Sequence, residues 1–130
     1  MPLARYRIVR GKRSVEEPLP TGLRQDTRKH TRHCCRPDPD EVAAYLAAPE
    51  DAAWERFAEA YRALLEARFA DDASAFEAIA AAAQSESVWL GCSCPTQKNP
   101  DVRRCHTSLA LRFFAERFPD LEVNFPRAST

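Results

Sequence analysis

The sequence predicts a compact α/β domain whose small, parallel sheet is flanked by helices, and three observations predict it. Val88-Trp89-Leu90-Gly91-Cys92 is a continuous apolar run without alternation, the pattern of a strand buried on both faces of a parallel sheet. Trp54, Phe57, Tyr61, Leu64, Leu65 and Phe69 recur at helical spacing, with Glu55, Glu59, Arg62 and Glu66 on the other side. The second half of the chain then reads helix, strand, loop, helix, strand, the order of an α/β layer fold.

The elements follow in chain order. Tyr6-Arg7-Ile8-Val9-Arg10 is short and β-branched and reads as a strand. Residues 11–40 show no regular period and contain Pro18, Pro20, Gly22, Pro37 and Pro39, so they read as a long loop with a short strand or helical turn near 22–27. Asp40 is placed to cap a helix over 41–47, with Val42, Tyr45 and Leu46 on one face. Pro49 is placed to open the long helix, with Glu50 and Asp51 in its first turn, where carboxylates suit the helix dipole. Ser74 and Glu77 stand in capping-box relation ahead of Phe76, Ile79 and the alanines to Ala83, a third helix. After the 88–92 strand, residues 95–104 form a polar loop. From His106 the helical stripe of Leu111, Phe114 and Phe118 begins, and Pro119 lies just past its end. Residues 121–125 are a last strand candidate. Trp54, Phe57, Tyr61, Leu64, Leu90, Phe114 and Phe118 form the expected core.

A chain of 130 residues fits one domain, residues 1–130. It divides into a basic strand and loop (1–40), acidic helices (41–83) and a strand, Cys/Arg loop, helix and strand (87–125). The net charge is zero, yet residues 1–36 hold ten Lys/Arg against three Asp/Glu, and residues 37–87 hold three against twelve. No run approaches the ~20 apolar residues of a membrane span, and the first residues lack the apolar centre of a secretory signal. Five cysteines cannot all pair within the chain, so they read as thiols, ligands or catalytic groups of a cytoplasmic protein.

The chemistry is concentrated in Gly91-Cys92-Ser93-Cys94-Pro95 and Asp101-Val102-Arg103-Arg104-Cys105-His106-Thr107-Ser108. The segment begins at the carboxyl end of a central strand, where open α/β sheets bind ligands, and finishes at a helix N-terminus, which favours anions. Arg103 and Arg104 add forked donors suited to phosphate or carboxylate. Cys105 is the candidate nucleophile, its thiol pKa lowered by helix end and guanidinium, and His106 its base or orienting group. Arg103, Arg104, Cys94 and Ser108 are the candidate ligand-binding residues. Each has a plainer reading: Cys92 as a small core hydrophobe, Arg103 and Arg104 as a solvated loop, Ser108 as a helix cap, and Cys105 with His106 as packing.

Several templates are absent. There is no glycine-rich phosphate loop ending in Lys-Ser/Thr, and no serine lies in a nucleophile-elbow pattern. A cysteine-phosphatase loop would place arginine six residues after its cysteine, where Cys92, Cys94 and Cys105 have Lys98, Pro100 and Leu111. No cofactor is predicted. The alternative is tetrahedral zinc on Cys92, Cys94, Cys105 and His106, against which stand an uncommon spacing and the awkwardness of aiming two adjacent residues at one ion. Cys34, Cys35, His30 and His33 form a second candidate cluster, with a mobile basic loop as its plainer reading.

Val88-Trp89-Leu90-Gly91-Cys92, followed by Arg104-Cys105-His106 at the head of a helix, resembles the domain-of-unknown-function 488 family. That family carries an apolar strand, a loop and an Arg-Cys-His-Arg signature before its last long helix; here Thr107 replaces the second arginine. The resemblance covers residues 54–118, and two N-terminal signatures of the family, Gly-His-Ser and Asp-Val-Arg at strand ends, are not matched in residues 1–40. It implies a compact α/β fold with cysteine and arginine near one edge of the sheet, and no known reaction.

Three functions compete. The first is an enzyme or binding protein for a small anionic, phosphate- or nucleotide-like ligand. The second is a zinc-stabilised interaction module. The third is a nucleic-acid binder using the basic N-terminal arm, although the acidic middle would repel a nucleic-acid backbone. No membrane partner is expected, and the sequence does not set an oligomeric state.

Overall fold

The computed structural model describes residues 2–127. Its elements are β1 (Leu3–Arg7), β2 (Leu23–Asp26), α1 (Pro39–Ala47), α2 (Asp51–Asp71), α3 (Ser74–Ala82), β3 (Val88–Cys92), a 3-10 turn (Val102–Arg104) and α4 (His106–Arg117). The sheet is wholly parallel with order β1-β3-β2, so the apolar run is the central strand, as its composition requires. Leu3 pairs with Val88 and Arg7 with Cys92 on one side; Leu23 pairs with Val88 and Asp26 with Gly91 on the other.

Helices cover one face of this sheet. α4 packs on β1 and β3, α2 on α4, and α1 on α2. The core between them holds Leu3, Val88, Leu90, Leu65, Phe76, Leu111 and Phe114, each at most 1 % exposed. Phe69, Phe76, Phe113, Phe114 and Phe118 interlock with ring centroids 5.5 to 6.2 Å apart, which ties α3 to α2 and α4. The far face of β3 is approached by the loop after β1, where Trp89 donates its indole N–H to the Thr21 carbonyl at 3.0 Å.

Several expectations shift. The first strand is Leu3–Arg7 and not 6–10, because its register against β3 buries Leu3 and Ala4. The hidden element near 22–27 is β2. Asp38, not Asp40, caps α1, accepting from the Asp40 N–H at 2.8 Å with Pro39 in the first helical position. Pro49 lies outside α2, whose N-cap residue is Glu50. Ser74 is already helical and caps nothing; Asp72 accepts its N–H at 3.0 Å. Residues 121–125 supply only a single parallel bridge, Leu3 to Val123, at the outer edge of β1. Of the expected core, Phe57, Tyr61, Leu90 and Phe114 are buried, whereas Trp54, Leu64 and Phe118 are half-buried at its margin.

A thiol-floored pocket at the strand ends

The carboxyl end of β3 delivers Cys92, Ser93 and Cys94 to one place, and the N-terminus of α4 delivers Cys105 and His106 to the same place. Cys105 is the N-cap residue of α4, in extended backbone with φ −127° and ψ 150°, and His106 is the first helical residue. That change of backbone direction turns two adjacent side chains toward one point. The Cys105 sulfur lies 3.8 Å from His106 Nδ1, and the Cys92 sulfur 3.9 Å from the same nitrogen. The sulfurs of Cys92, Cys94 and Cys105 all lie within 4.8 Å of one another.

Polar groups are aimed at these sulfurs. The Thr107 hydroxyl donates to Cys105 Sγ at 3.2 Å, and the Asn99 amide donates to Cys94 Sγ at 3.3 Å and to the Arg104 carbonyl at 2.8 Å. Arg5 braces both sides from below, giving its Nε to Thr107 Oγ1 at 2.9 Å and its Nη2 to the Cys94 carbonyl at 2.7 Å. His106 Nε2 stands against Thr27, which sequence reasoning overlooked. The Cys105 thiol is held well below the ordinary range because the Cys92 and Cys94 thiols donate to it and His106 adds positive charge. Cys92 is pushed up by its hydrogen bonds to Cys105 and Cys94 and by burial, and Cys94, chiefly by its hydrogen bond to Cys105, to about 11. Burial, the largest single influence, works against a charged His106, but the Cys105 charge and the hydrogen bonds to Cys105 and Cys92 together outweigh it and lift the imidazole to about 10.

Above this floor is a cavity of about 360 Å³. Val42, Tyr45, Leu46, Trp54 and Phe57, from α1 and α2, make an apolar, largely aromatic wall. Arg28, Lys29, His30, Lys98 and Arg104 stand on the other sides. Three of these side chains lie against carboxylates: Arg28 with Asp26 at 2.8 Å, Arg104 with Asp51 at 2.5 Å, and His30 Nε2 4.0 Å from Asp26. Lys29 and Lys98 have no such partner among the described residues.

The expected site residues divide. Cys94, Cys105, His106 and Arg104 line the cavity together with Cys92. Arg103 does not: it is exposed and folds back on Asp101 at 2.9 Å. Ser108 spends its hydroxyl on the Val102 carbonyl at 2.8 Å, an internal tie of the helix start. The lowered Cys105 pKa arises from sulfur and imidazole neighbours and not from Arg103 or Arg104, a correction that follows from the arginines' carboxylate partners. Aiming Cys105 and His106 at one point is not awkward, because the strand-to-helix change falls between them. The basic N-terminal residues Arg5 and Arg13 are turned inward onto the fold. No helix among the described residues is long and apolar enough to cross a membrane.

Fold and site together define a small parallel-sheet α/β protein with a sulfur-floored pocket at its strand ends. Residues 9–118 match the family model DUF488-N3a, described as the active DUF488-N3 subclade, and the chain belongs to this family. The match extends beyond residues 54–118, over which the resemblance is read from the sequence, and takes in β2. Comparison with curated proteins and with solved structures gives no match.

Proposed function

We propose that the protein binds a small anionic ligand with a flat, apolar body, a nucleotide-like molecule, in the cavity over Cys92, Cys94 and Cys105. One observation carries this reading: an aromatic wall faces a cationic rim across about 360 Å³ at the carboxyl end of the central strand. Trp54, Tyr45 and Phe57 would take the flat body, and Lys29, Lys98 and Arg104 the anionic group. Cys105 and His106 are the groups such a ligand meets at the floor, and the family's description as active supports a working role for them.

The test is titration of the intact protein with adenosine monophosphate and with inorganic phosphate, read by calorimetry and by Trp54 fluorescence. Trp89 lies outside the cavity lining and Trp54→Phe removes the signal, which identifies its source. Saturable binding of the nucleotide, weakened roughly tenfold in Lys98→Ala, is expected, since a charge-assisted contact contributes about 1.5–3 kcal/mol when well made. No heat and no fluorescence change with either compound at millimolar concentration sinks the proposal.

A further inference from the structure

We infer that Cys92, Cys94, Cys105 and His106 form a zinc site, the three sulfurs and the His106 Nδ1 being its four ligands. This goes beyond the ligand reading and does not depend on it; the pocket could fail to take a nucleotide while the metal site stands.

Geometry is the first support. Zinc–sulfur bonds of ~2.3 Å and zinc–nitrogen bonds of ~2.0 Å give tetrahedral edges of ~3.8 Å between sulfurs and ~3.6 Å between sulfur and nitrogen. The observed separations are 3.8 and 3.9 Å from Nδ1 to two sulfurs, with all three sulfurs within 4.8 Å of each other. The three sulfurs are close enough to share one ion, Nδ1 stands beside two of them, and the imidazole completes the set by closing toward Cys94 as the metal binds. Cysteines that packed only as small hydrophobes would not need to converge in this way.

The imidazole is the second support. His106 Nε2 lies 3.0 Å from the Thr27 carbonyl oxygen, which can only accept, so Nε2 bears the proton. The Thr27 hydroxyl, 2.8 Å from Nε2, donates its own proton to the Gly91 carbonyl at 2.9 Å. Nδ1 is then the nitrogen that faces the sulfurs. A histidine whose far N–H is held by a backbone carbonyl is the usual second-shell arrangement of a metal ligand.

Charge is the third. Three thiolates and a neutral imidazole around a divalent ion leave one net negative charge. The donors from Thr107 and Asn99 fall on two of the sulfurs, and the Arg5 guanidinium backs the same side. A donor set of three sulfurs and one nitrogen selects zinc over the harder divalent cations.

The other cysteine cluster supplies a contrast. His33 spends both nitrogens, Nδ1 accepting the Cys35 N–H at 3.0 Å and Nε2 facing Gln25 Oε1 at 2.6 Å. Only the sulfurs of Cys34 and Cys35 remain there, too few for a closed site.

The experiment loads the full chain, stripped with a chelator under reducing conditions, first with cobalt(II) and then with zinc(II). One equivalent of cobalt(II) should bind with the strong near-ultraviolet sulfur-to-metal absorption and intense visible bands of a tetrahedral thiolate site, and zinc(II) should displace it. Cys94→Ser, at a half-buried position, should abolish the sulfur-rich spectrum, whereas Cys34→Ser should leave it unchanged. Asn99→Ala keeps all four ligands and should weaken zinc binding ~10–100-fold. A pale, octahedral cobalt spectrum in the wild-type chain overturns the proposal. So does loss of binding in Cys34→Ser with retention in Cys94→Ser.

Discussion

The Nε2 of His106 lies 2.8 Å from the Oγ1 of Thr27 and 3.0 Å from its carbonyl oxygen, a link across 79 positions of sequence between the end of β2 and the start of α4. Both residues are buried, Thr27 completely. The link fixes the rotation of the imidazole and hence which nitrogen meets the sulfurs. Thr27→Val preserves shape and carbonyl while removing the hydroxyl. It should cost about 1 kcal/mol in stability and weaken zinc binding at least severalfold in a chelator competition. Unchanged affinity would mean that packing alone orients His106.

The buried stripe of α2 runs through Phe57, Tyr61 and Leu65, so it passes one residue beyond the Leu64 expected in the core. Leu65 is 1 % exposed, whereas its neighbour Leu64 is only partly buried against the core. Leu65→Ala should therefore lose about 2–5 kcal/mol, and Leu64→Ala distinctly less. Urea unfolding midpoints with an unchanged slope measure both. Equal losses would contradict the observed rotation of α2.

These two cases mark what local sequence carries. The apolar run at 88–92 declares itself as a central strand, and the 3.6-residue spacing in α2 declares a helix, because both patterns are written in neighbouring residues. β2, Leu-Arg-Gln-Asp, has no such pattern; it is an edge strand held by pairing with Val88 through Gly91. β1 lies upstream of its expected place because pairing with β3 buries Leu3, a tertiary effect. That Cys94, Arg104, Cys105 and His106 share one cavity was legible from chemical type and position at a strand end and helix start. Thr27, Arg28 and the Tyr45–Trp54–Phe57 wall were not, since they reach the site only through the packing of separate elements.

Gly22 enters β2 with φ of 132°, a conformation that side-chain-bearing residues rarely adopt, and a Cβ there would strike the Ser87 carbonyl oxygen. That oxygen accepts the Leu23 N–H at 2.9 Å, the first tie between β2 and the segment leading into β3. Gly22→Ala should thus destabilise by more than about 1 kcal/mol and speed amide exchange at Leu23. Gly11 also has positive φ, 84°, but nothing lies within 4 Å of a Cβ built there. Gly11→Ala should carry only the ~1–2 kcal/mol backbone cost of a left-handed residue, with exchange at Leu23 unchanged. If Gly22→Ala leaves Leu23 exchange at the wild-type rate, the Ser87 contact is not what requires glycine.

The most reactive thiol should be Cys34 and not Cys105. Cys105, in the cavity floor, is only 3 % exposed, while Cys34 is half-buried. Cys34 Sγ lies 3.9 Å from the Cys35 sulfur and 3.9 Å from His33 Nδ1. The Cys35 thiol donates to it, and this outweighs burial; with a smaller contribution from His33 the Cys34 pKa falls to about 5, while that of the fully buried Cys35 is pushed up. The sign of the pH dependence follows. A depressed thiol pKa keeps the thiolate populated down to that value, so alkylation slows only as pH falls through about 5. An unperturbed thiol, with pKa ~8.5, would gain nearly tenfold in rate between pH 7 and 8. Residue-resolved mass spectrometry after iodoacetamide pulses should show Cys34 labelling first, at a rate flat from pH 6.5 to 8. Cys35→Ala removes the donor and should move the inflection upward. A Cys34 rate that climbs tenfold between pH 7 and 8 in the wild-type chain would show that the pair does not share its proton in this way, and that the vicinal cysteines serve only to pack the loop against Tyr61 and Arg68, which bind the carbonyls of Cys35 and Cys34 at 2.5 and 2.8 Å.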